Sequence, residues 1–238
     1  MRVTFEDAMA AEDWPLPKSW AHMLFRVRMP LIGLFAIATL FFGWHMIQLK
    51  PDASFEKMIP VSHPFIQNFL ASRDDLKGLG NSVRIIVETT EGDIFTPEFQ
   101  DILKQITDEV FYINGVDRSA LQSLWTPNVR WQEVTEEGFV GGAVIPDDYD
   151  GSERTLLKLR ENTLKSGQIG RIVANNFKST TIVAPLVEID PTTGQRLDYS
   201  AFSDDLEELI RDKYQTDTIR IHITGFAKLI GCLLYTSD

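Results

Sequence analysis

The feature that most constrains this chain is an uncharged run of 21 residues at positions 29–49, MPLIGLFAIATLFFGWHMIQL. With a rise of about 1.5 Å per residue, a helix of this length extends about 31 Å, close to the thickness of a bilayer's hydrocarbon core. The run lacks the polar face that helices of soluble proteins usually carry. We therefore predict a transmembrane helix over residues 29–49.

A cleaved signal peptide is the main alternative for this run, because Ala36-Ile37-Ala38 mimics a small-x-small cleavage site. Two features argue against cleavage. The leader of 28 residues is long and contains four acids, and the apolar run continues for eleven residues beyond Ala38. An uncleaved membrane helix is favoured.

Basic residues beside the run predict its orientation. Arg26 and Arg28 adjoin its N-terminal end and Lys18 lies further back, whereas Lys50 and Lys57 follow it. Since basic residues favour the cytoplasmic side, three against two predicts a cytoplasmic segment over residues 1–28. Within that segment, SWAHMLFRVR has apolar side chains at helical spacing, which predicts a short interfacial helix or, alternatively, an extension of the membrane helix.

The net charge of −11 is unevenly distributed. Residues 1–28 hold four acids and four bases and residues 29–49 hold no charge, so the excess lies in residues 50–238. An acidic domain of this kind is not expected to bind nucleic acid. Cys232 is the single cysteine, which excludes a disulfide framework and a cysteine-based metal site.

The domain after the span begins with a predicted strand–helix–strand unit. VRIIVET (83–89) alternates in the manner of a strand, and Thr96 followed by Pro97 is typical of a helix start. The apolar stripe of that helix consists of Phe99, Ile102, Leu103, Ile106, Val110 and Ile113. VRWQEV (129–134) is the next predicted strand.

A second unit follows in the same domain. Ser152 is the predicted cap of a helix that ends near Lys165, and STTIVAPLVEID (179–190) is a long predicted strand. A helix over residues 201–214 and the strand IRIHIT (219–224) complete the unit. The predicted buried residues of that helix are Phe202, Leu206, Leu209 and Ile210. Two such units predict an α+β fold of split βαβ, ferredoxin-like type with helices on one face of the sheet.

The sequence carries no pattern that supports catalysis. It contains no phosphate loop, nucleophile elbow or dinucleotide fingerprint, and its four histidines lack metal-ligand spacing. PDDYDG (146–151) hints at a calcium loop, but a start at Asp147 or Asp148 does not put glycine at position six, so a turn is favoured. We expect a protein that is not an enzyme and that holds no metal or cofactor.

Directly after the predicted span, PDASFEKMIPVSHPF (51–65) contains an aspartate, a Phe-Glu pair, a proline and a His-Pro step in order. These residues are Asp52, Phe55, Glu56, Pro60, His63 and Pro64. Further matching segments are VRIIVETTEGDIFTPEF, GVDRSALQSLWTPNVRW, VANNFKST and ITGFAK, the last of which contains Gly225. In this order and spacing the chain resembles transporters of the resistance-nodulation-division (RND) superfamily, most closely the hydrophobe/amphiphile efflux branch that includes MMPL-type lipid exporters.

The resemblance implies a proton-driven exporter in the bacterial inner membrane, with a βαβ-type porter domain over residues 50–224 in the periplasm. The implied partners are membrane lipids, a hydrophobic or amphiphilic substrate, the remainder of the transporter and, as one option, further copies of the chain in a homo-oligomer. The span at residues 29–49 contains no acid, so the proton-relaying residues are expected in that remainder. The alternative is a single-span membrane protein with an extracytoplasmic sensing or binding domain.

The last residues of the chain also bear on this resemblance. In the family TGFAK leads towards the second span, so residues 225–231 are predicted to begin that segment. CLLYTSD (232–238) does not continue the pattern and resembles translated sequencing-adapter sequence. We expect residues 232–238 to be an artefactual tail.

A substrate path is predicted at a junction between subdomains, over RWQEVTEEGFVGGAVIP (130–146). Trp125 precedes this segment, Trp131 lies at its start, Phe139 lies within it, and Gly141 and Gly142 permit close backbone approach. These three aromatic residues are the candidates for an apolar lining. The alternative is that the tryptophans are core residues that close the first strand–helix–strand unit.

Overall fold

The computed structural model describes residues 26–47, 60–72, 80–136, 138–187, 189 and 194–235. The helices and strands are, in chain order, α1 (Arg28–Ile47), α2 (Pro64–Ala71), β1 (Ser82–Thr89), α3 (Pro97–Tyr112), β2 (Arg130–Thr135), β3 (Gly138–Ala143), α4 (Glu153–Lys165), β4 (Ser179–Pro185), α5 (Tyr199–Leu206, continued by Glu207–Arg211 and Asp212–Tyr214), β5 (Ile219–Gly225) and α6 (Phe226–Tyr235). The chain divides into two compact units, Met1–Asp52 and Ala53–Asp238. We call residues 80–235 of the second unit the sheet domain.

Helix α1 is the one helix in the described part of the chain that is long and apolar enough to cross a membrane. Its 20 residues extend about 30 Å, and none of them is buried. The Thr39 hydroxyl donates to the Phe35 carbonyl oxygen at 2.8 Å, so this polar group is satisfied within the helix, as an apolar environment requires. Helix α1 agrees with the predicted span over residues 29–47; residues 48–49, and residues 19–25 of the predicted interfacial helix, lie outside the described residues.

The main sheet has three antiparallel strands in the order β4–β1–β5. Two further antiparallel bridges join Val116 to Leu186 and Gln122 to Val183. Because β1 occupies the other edge of β4, these bridges place the segment 116–122 on the outer side of β4. The sheet domain therefore presents four antiparallel segments, of which the one after α3 is irregular.

The core of the sheet domain lies between one face of this sheet and the helices α3 and α5. The strand residues that alternate into the core are Val83, Ile85, Val87, Ile182, Ala184, Ile219 and Ile221. The helical residues packed in the same cluster include Phe99, Leu103, Ile106, Val110, Phe202, Leu206, Ile210 and Tyr214. The predicted stripe of α3 is confirmed, and the mixed helix and sheet agree with the predicted α+β class.

The strand predicted at residues 129–134 has a different partner from the one expected. Arg130–Thr135 forms a strand, but it pairs with Gly138–Ala143 in a separate two-stranded hairpin. In the described part of the chain this strand does not pair within the sheet that contains β1, so the expectation that it completes a unit with β1 is wrong. The outer edge of β4 is already occupied by segment 116–122 and by Val173, which bridges to Thr180.

Helix α5 differs from the predicted helix in its winding. Residues Glu207–Arg211 form a π-helical turn, in which backbone hydrogen bonds join residues five rather than four positions apart. The buried side chains therefore recur every four residues, at Phe202, Leu206 and Ile210, while Leu209 is exposed. The prediction that Leu209 is buried is wrong because it assumed a regular α-helix.

Helix α6 packs closely against α5. Ala227 and Ile230 are buried, and a Cβ added to Gly231 would collide with the Tyr199 carbonyl oxygen. The Lys228 ammonium donates to the Ser203 hydroxyl at 2.8 Å and forms an ion pair with Glu207. Residues 225–231 are predicted to start a segment leading to a second span, and those of them in α6 are thus packed against the sheet domain.

Candidate functional site

One face of the β2–β3 hairpin changes from polar to apolar along its length. The register pairs Arg130 with Ala143, Gln132 with Gly141, and Val134 with Phe139. Because directly paired residues share a face and residues two apart lie on the same side, all of these side chains belong to one face. This face begins with a guanidinium and an amide and ends with two apolar side chains.

The apolar end of this face is highly exposed. Val134 has 74% of its residue surface accessible and Phe139 has 85%. Single exposed apolar residues are ordinary on protein surfaces, whereas this cross-strand pair forms a contiguous apolar surface at the hairpin tip. We call Val134 and Phe139 the apolar tip.

The opposite face of the hairpin packs against helix α4 through Trp131 and Glu133. Lys165 Nζ lies 2.8 Å from Glu133 Oε2, 2.7 Å from Glu161 Oε1 and 5.7 Å from the centroid of the Trp131 ring. Hydrogen bonds to Glu133 and then Glu161 raise the pKa of Lys165. Two carboxylates therefore neutralise this ammonium.

A cleft of about 430 Å³ lies between β2 and the C-terminal end of α4. Its lining residues are Asn128, Arg130, Gln132, Lys165, Ser166, Gly167 and Gln168. We call this the polar cleft. Its volume falls within the range of small-molecule pockets, although its lining is more polar than usual.

The chain reversal after α4 shapes one wall of the polar cleft. Gly167 has a φ of +66°, which a glycine adopts without strain at a helix C-terminus. The Ser166 hydroxyl donates to the Thr163 carbonyl oxygen at 2.7 Å and accepts from the Gln168 amide nitrogen at 3.2 Å. These bonds fix the backbone of residues 166–168 beside β2.

Two lining residues have unused hydrogen-bonding capacity. The Arg130 guanidinium forms no ion pair with any described residue, so its charge is not compensated as that of Lys165 is. Gln168 Oε1 is buried and accepts no hydrogen bond within the described part of the chain. A buried polar atom left in that state costs about 1–3 kcal/mol.

The structure separates the three aromatic residues predicted to line a path. Trp125 Nε1 donates to Gln100 Oε1 at 3.1 Å, and its ring packs edge-to-face on Tyr149 at 5.3 Å beside the core. Trp131 and Phe139 lie on opposite faces of the hairpin. Trp125 therefore has the packing role of the alternative interpretation, and Phe139 is the most exposed of the three.

The glycines of the hairpin have the close contacts expected of them. A Cβ on Gly141 would lie 2.7 Å from the Trp131 carbonyl oxygen, and a Cβ on Gly142 would lie 3.3 Å from Trp131 Nε1. Substitution at Gly141 would therefore require a backbone shift.

The residues of the family motif fall partly in the described structure. Asp52, Phe55 and Glu56 lie outside the described residues. His63 caps helix α2, where its Nδ1 accepts from the Phe65 amide at 3.2 Å, and Pro64 occupies the first helical position after a turn that begins at Pro60. Gly225 ends β5 with a φ of +141°. The described members of the motif thus start helix α2 or end strand β5.

The polar cleft was not predicted from the sequence. The end of α4 near Lys165 was predicted, but no pattern links residues 165–168 with β2, which lies more than 30 positions away. Among the described residues no group of three or more histidine, cysteine, aspartate or glutamate side chains could hold a metal ion.

Comparison with known proteins supports membrane association. The chain is 22% identical over 216 residues, 87% of its length, to "Putative membrane protein MJ1562" of Methanocaldococcus jannaschii. The chain spans about half the length of this curated relative. No family model matches the chain. Together with the apolar helix α1, this similarity indicates a membrane-associated protein.

Proposed function

We propose that this chain is the amino-terminal part of a proton-driven RND-type exporter, in which the sheet domain passes hydrophobic or amphiphilic molecules outwards. In this proposal α1 is the first membrane helix of a bacterial inner-membrane protein, its N-terminus is cytoplasmic and the sheet domain is periplasmic. The remainder of the transporter supplies the proton relay, and the sheet domain binds without catalysing a reaction.

The strand arrangement after a membrane-length helix is the observation that carries this proposal. Segment 116–122, β4, β1 and β5 lie side by side and antiparallel. Helix α3 connects β1 to segment 116–122, and α5 connects β4 to β5. This connectivity supports a split βαβ, ferredoxin-like domain, with the hairpin and α4 inserted between its halves. The sequence resemblance implies a porter domain of this type.

The inserted hairpin supplies the surface at which a substrate would be met. A fold of this type serves many functions, so the proposal also needs a surface that could receive the substrate. The apolar tip is exposed, and the polar cleft borders the same hairpin. A surface with both characters suits molecules that are themselves amphiphilic.

The proposal is tested by transport in cells that express the gene together with its downstream coding sequence. Such cells should accumulate less of a fluorescent amphiphile than cells without the gene, and a protonophore should abolish the difference. The double variant Val134→Ser/Phe139→Ser should lose most of the effect. Leu157→Ser, at an exposed apolar position on α4, is the matched control and should retain it. Unchanged accumulation at equal membrane expression of the parent protein would contradict the proposal.

A second candidate is a single-span membrane protein whose outer domain binds or senses a ligand. The packing of Lys228, Ile230 and Gly231 against α5 favours it, because the segment after β5 is held within the sheet domain. Ligand binding by the sheet domain without any protonophore-sensitive transport would distinguish this candidate from the exporter.

A further inference from the structure

We infer that the sheet domain binds a second copy of this chain, with the outer face of the main sheet in one copy packed on helix α5 of the other. The side chains of β1, β4 and β5 that point away from α3 and α5 form this outer face, which we call the open sheet face. The inference goes beyond the proposed function and applies equally to the exporter and to the single-span candidate.

The open sheet face has an apolar centre and a polar border. Arg84 lies between Val183 of β4 and Thr224 of β5. Ile86, two residues further along β1, lies beside His222. The aliphatic side chains of Ile86 and Val183 are half-buried, whereas the other three residues are exposed. Interfaces between proteins commonly combine an apolar centre with a polar rim in this way.

Positive charge dominates this border. Arg84 and Arg220 are exposed, and Arg171 is held at the outer edge of β4 by a hydrogen bond of 3.2 Å. None of these three guanidiniums forms an ion pair with a residue in the described ranges. Glu88 is the one acid in β1, β4 and β5, and its Oε2 already lies 3.0 Å from His222 Nε2. In a chain of net charge −11, this surface favours an acidic partner.

The exposed side of α5 carries the opposite charge. Asp204, Glu208 and Asp212 recur every four residues, as the buried side chains of this helix do, and all three are exposed. They form no ion pair within the part of the chain that the structure describes. Like charges at this spacing repel one another and destabilise a helix. A cationic surface packed against them is therefore stabilising, and the exposed Leu209 beside them supplies an apolar contact.

The spacings of the two sets of charges agree. Arg220 pairs with Glu88, four residues along β1 from Arg84, so the two arginines are about 13 Å apart along the strands at about 3.3 Å per residue. Asp204 and Asp212 are about 12 Å apart along α5 at about 1.5 Å per residue. With α5 laid along β1 and β5, one aspartate therefore faces each arginine.

These two surfaces meet only between copies, because they lie on opposite sides of the same domain. A sheet-to-sheet dimer would bring the arginines of both copies together, and a contact between two α5 helices would do the same for the acids. The contact is therefore heterologous, from sheet to helix. The four antiparallel segments present about 400 Å² at about 4.8 Å per segment, the size of a transient interface. Association is expected where a membrane concentrates the chains.

Energy transfer between labelled copies in liposomes tests the inference. The full chain carries a donor or an acceptor dye on its exposed Cys232, and both forms are reconstituted together in phosphatidylcholine at rising protein density. Transfer should exceed the level calculated for randomly placed chains. It should fall as the salt concentration is raised from about 0.05 to about 0.5 M, because salt screens the charges on the two surfaces.

Charge reversal assigns the contact to the two surfaces. The sheet variant Arg84→Glu/Arg220→Glu and the helix variant Asp204→Lys/Asp212→Lys should each raise the density for half-maximal transfer at least about tenfold, equivalent to about 1.4 kcal/mol. A chain with all four substitutions has both charges reversed and should recover transfer, as should a mixture of the two variants. Recovery also shows that the substituted chains are folded.

The control variant is Asp147→Lys/Glu153→Lys. These two acids are exposed and lie outside α3, α5 and the main sheet. The control changes the net charge by the same amount as the helix variant and should leave transfer unchanged.

Four results would overturn the inference. Transfer at the random level for the parent chain would leave the open sheet face to a different partner. Loss in the sheet variant with no change in the helix variant would show that copies meet without α5. Failure of the four-substituted chain to recover would show that the two surfaces do not face each other, and loss in the control would assign the effect to net charge.

Discussion

Gly225, at the end of β5, lies directly against the backbone of Ser82 in β1. A Cβ at position 225 would be 2.6 Å from the Ser82 carbonyl oxygen, and the φ of Gly225 is +141°. Only glycine adopts this backbone conformation without strain, and only glycine fits so close to the neighbouring strand. The pairing of β1 with β5 therefore depends on this residue.

We predict that Gly225→Ala lowers the free energy of unfolding by at least about 2 kcal/mol, because the substitution adds both strain and a backbone collision. Chemical denaturation of the chain in neutral detergent measures the change. Gly92→Ala is the control, since Gly92 has a φ of +69° with nothing within 4 Å of its added Cβ. A loss no larger than that of the control would show that the contact with Ser82 is easily relieved.

A second prediction concerns the core face of helix α3. Ile106 is fully buried, so Ile106→Asp would bury a carboxylate without a partner and should cost at least about 3 kcal/mol of stability. Gln105→Asp introduces the same side chain at the exposed neighbouring position and should have little effect. Similar melting temperatures for the two variants would remove Ile106 from the core.

The third prediction is a pH dependence centred on Asp150. Its carboxylate accepts hydrogen bonds from Ser152 and, at 2.9 Å, from Thr155 Oγ1. The side-chain hydrogen bond from Ser152 is the main reason that the pKa of Asp150 falls to about 2. Because the folded pKa is lower than the ordinary value of about 3.9, the stabilisation is complete above pH 4 and is lost as the pH falls through about 2.

Asp150→Asn should therefore flatten the dependence of unfolding free energy on pH between about 4 and 2. Asp147→Asn serves as the control, because Asp147 lies in the same turn and forms no hydrogen bond from its side chain to a described residue. Equal slopes for the parent and Asp150→Asn would mean that the hydrogen bonds of Asp150 do not persist in solution.

The fourth prediction tests orientation in the membrane. In a Cys232→Ser background, Leu157→Cys places a thiol at an exposed position of α4, and Lys18→Cys places one before the span. A membrane-impermeant maleimide should label position 157 in cells with a permeabilised outer membrane and position 18 only after lysis. Labelling in the reverse order would place the sheet domain in the cytoplasm.

Local signals in the sequence predicted several elements correctly. Thr96 and Pro97 start α3, where the Thr96 hydroxyl accepts from the Phe99 amide at 3.3 Å. The alternation in β5 is also present, with Ile219 and Ile221 buried. In both cases the pattern involves residues only a few positions apart, so it can be read directly from the sequence.

Elements that depend on distant partners were predicted less well. The glycines of β3 indicate turns rather than a strand, and β3 forms because β2 supplies its hydrogen-bonding partner. Ser152 occupies the predicted cap position of α4, but its side chain makes no capping hydrogen bond. Instead, the Asp150 carboxylate accepts hydrogen bonds from the Ser152 and Thr155 hydroxyls. The predicted strand at 179–190 ends at Pro185, since proline cannot donate to a continuing ladder. The polar cleft joins two segments that no local pattern connects.

The contact between α5 and α6 has a mechanical consequence. Gly231 brings the two helix backbones together, and Lys228 ties α6 to Ser203 and Glu207. With side chains interlocked in this way, α6 cannot tilt or slide without displacing α5, and α5 is packed on the sheet through Ile210. A force applied along α6 would therefore move α5 and α6 together as one rigid body. The backbone at Gly225, directly before α6, is the nearest point at which the chain could bend.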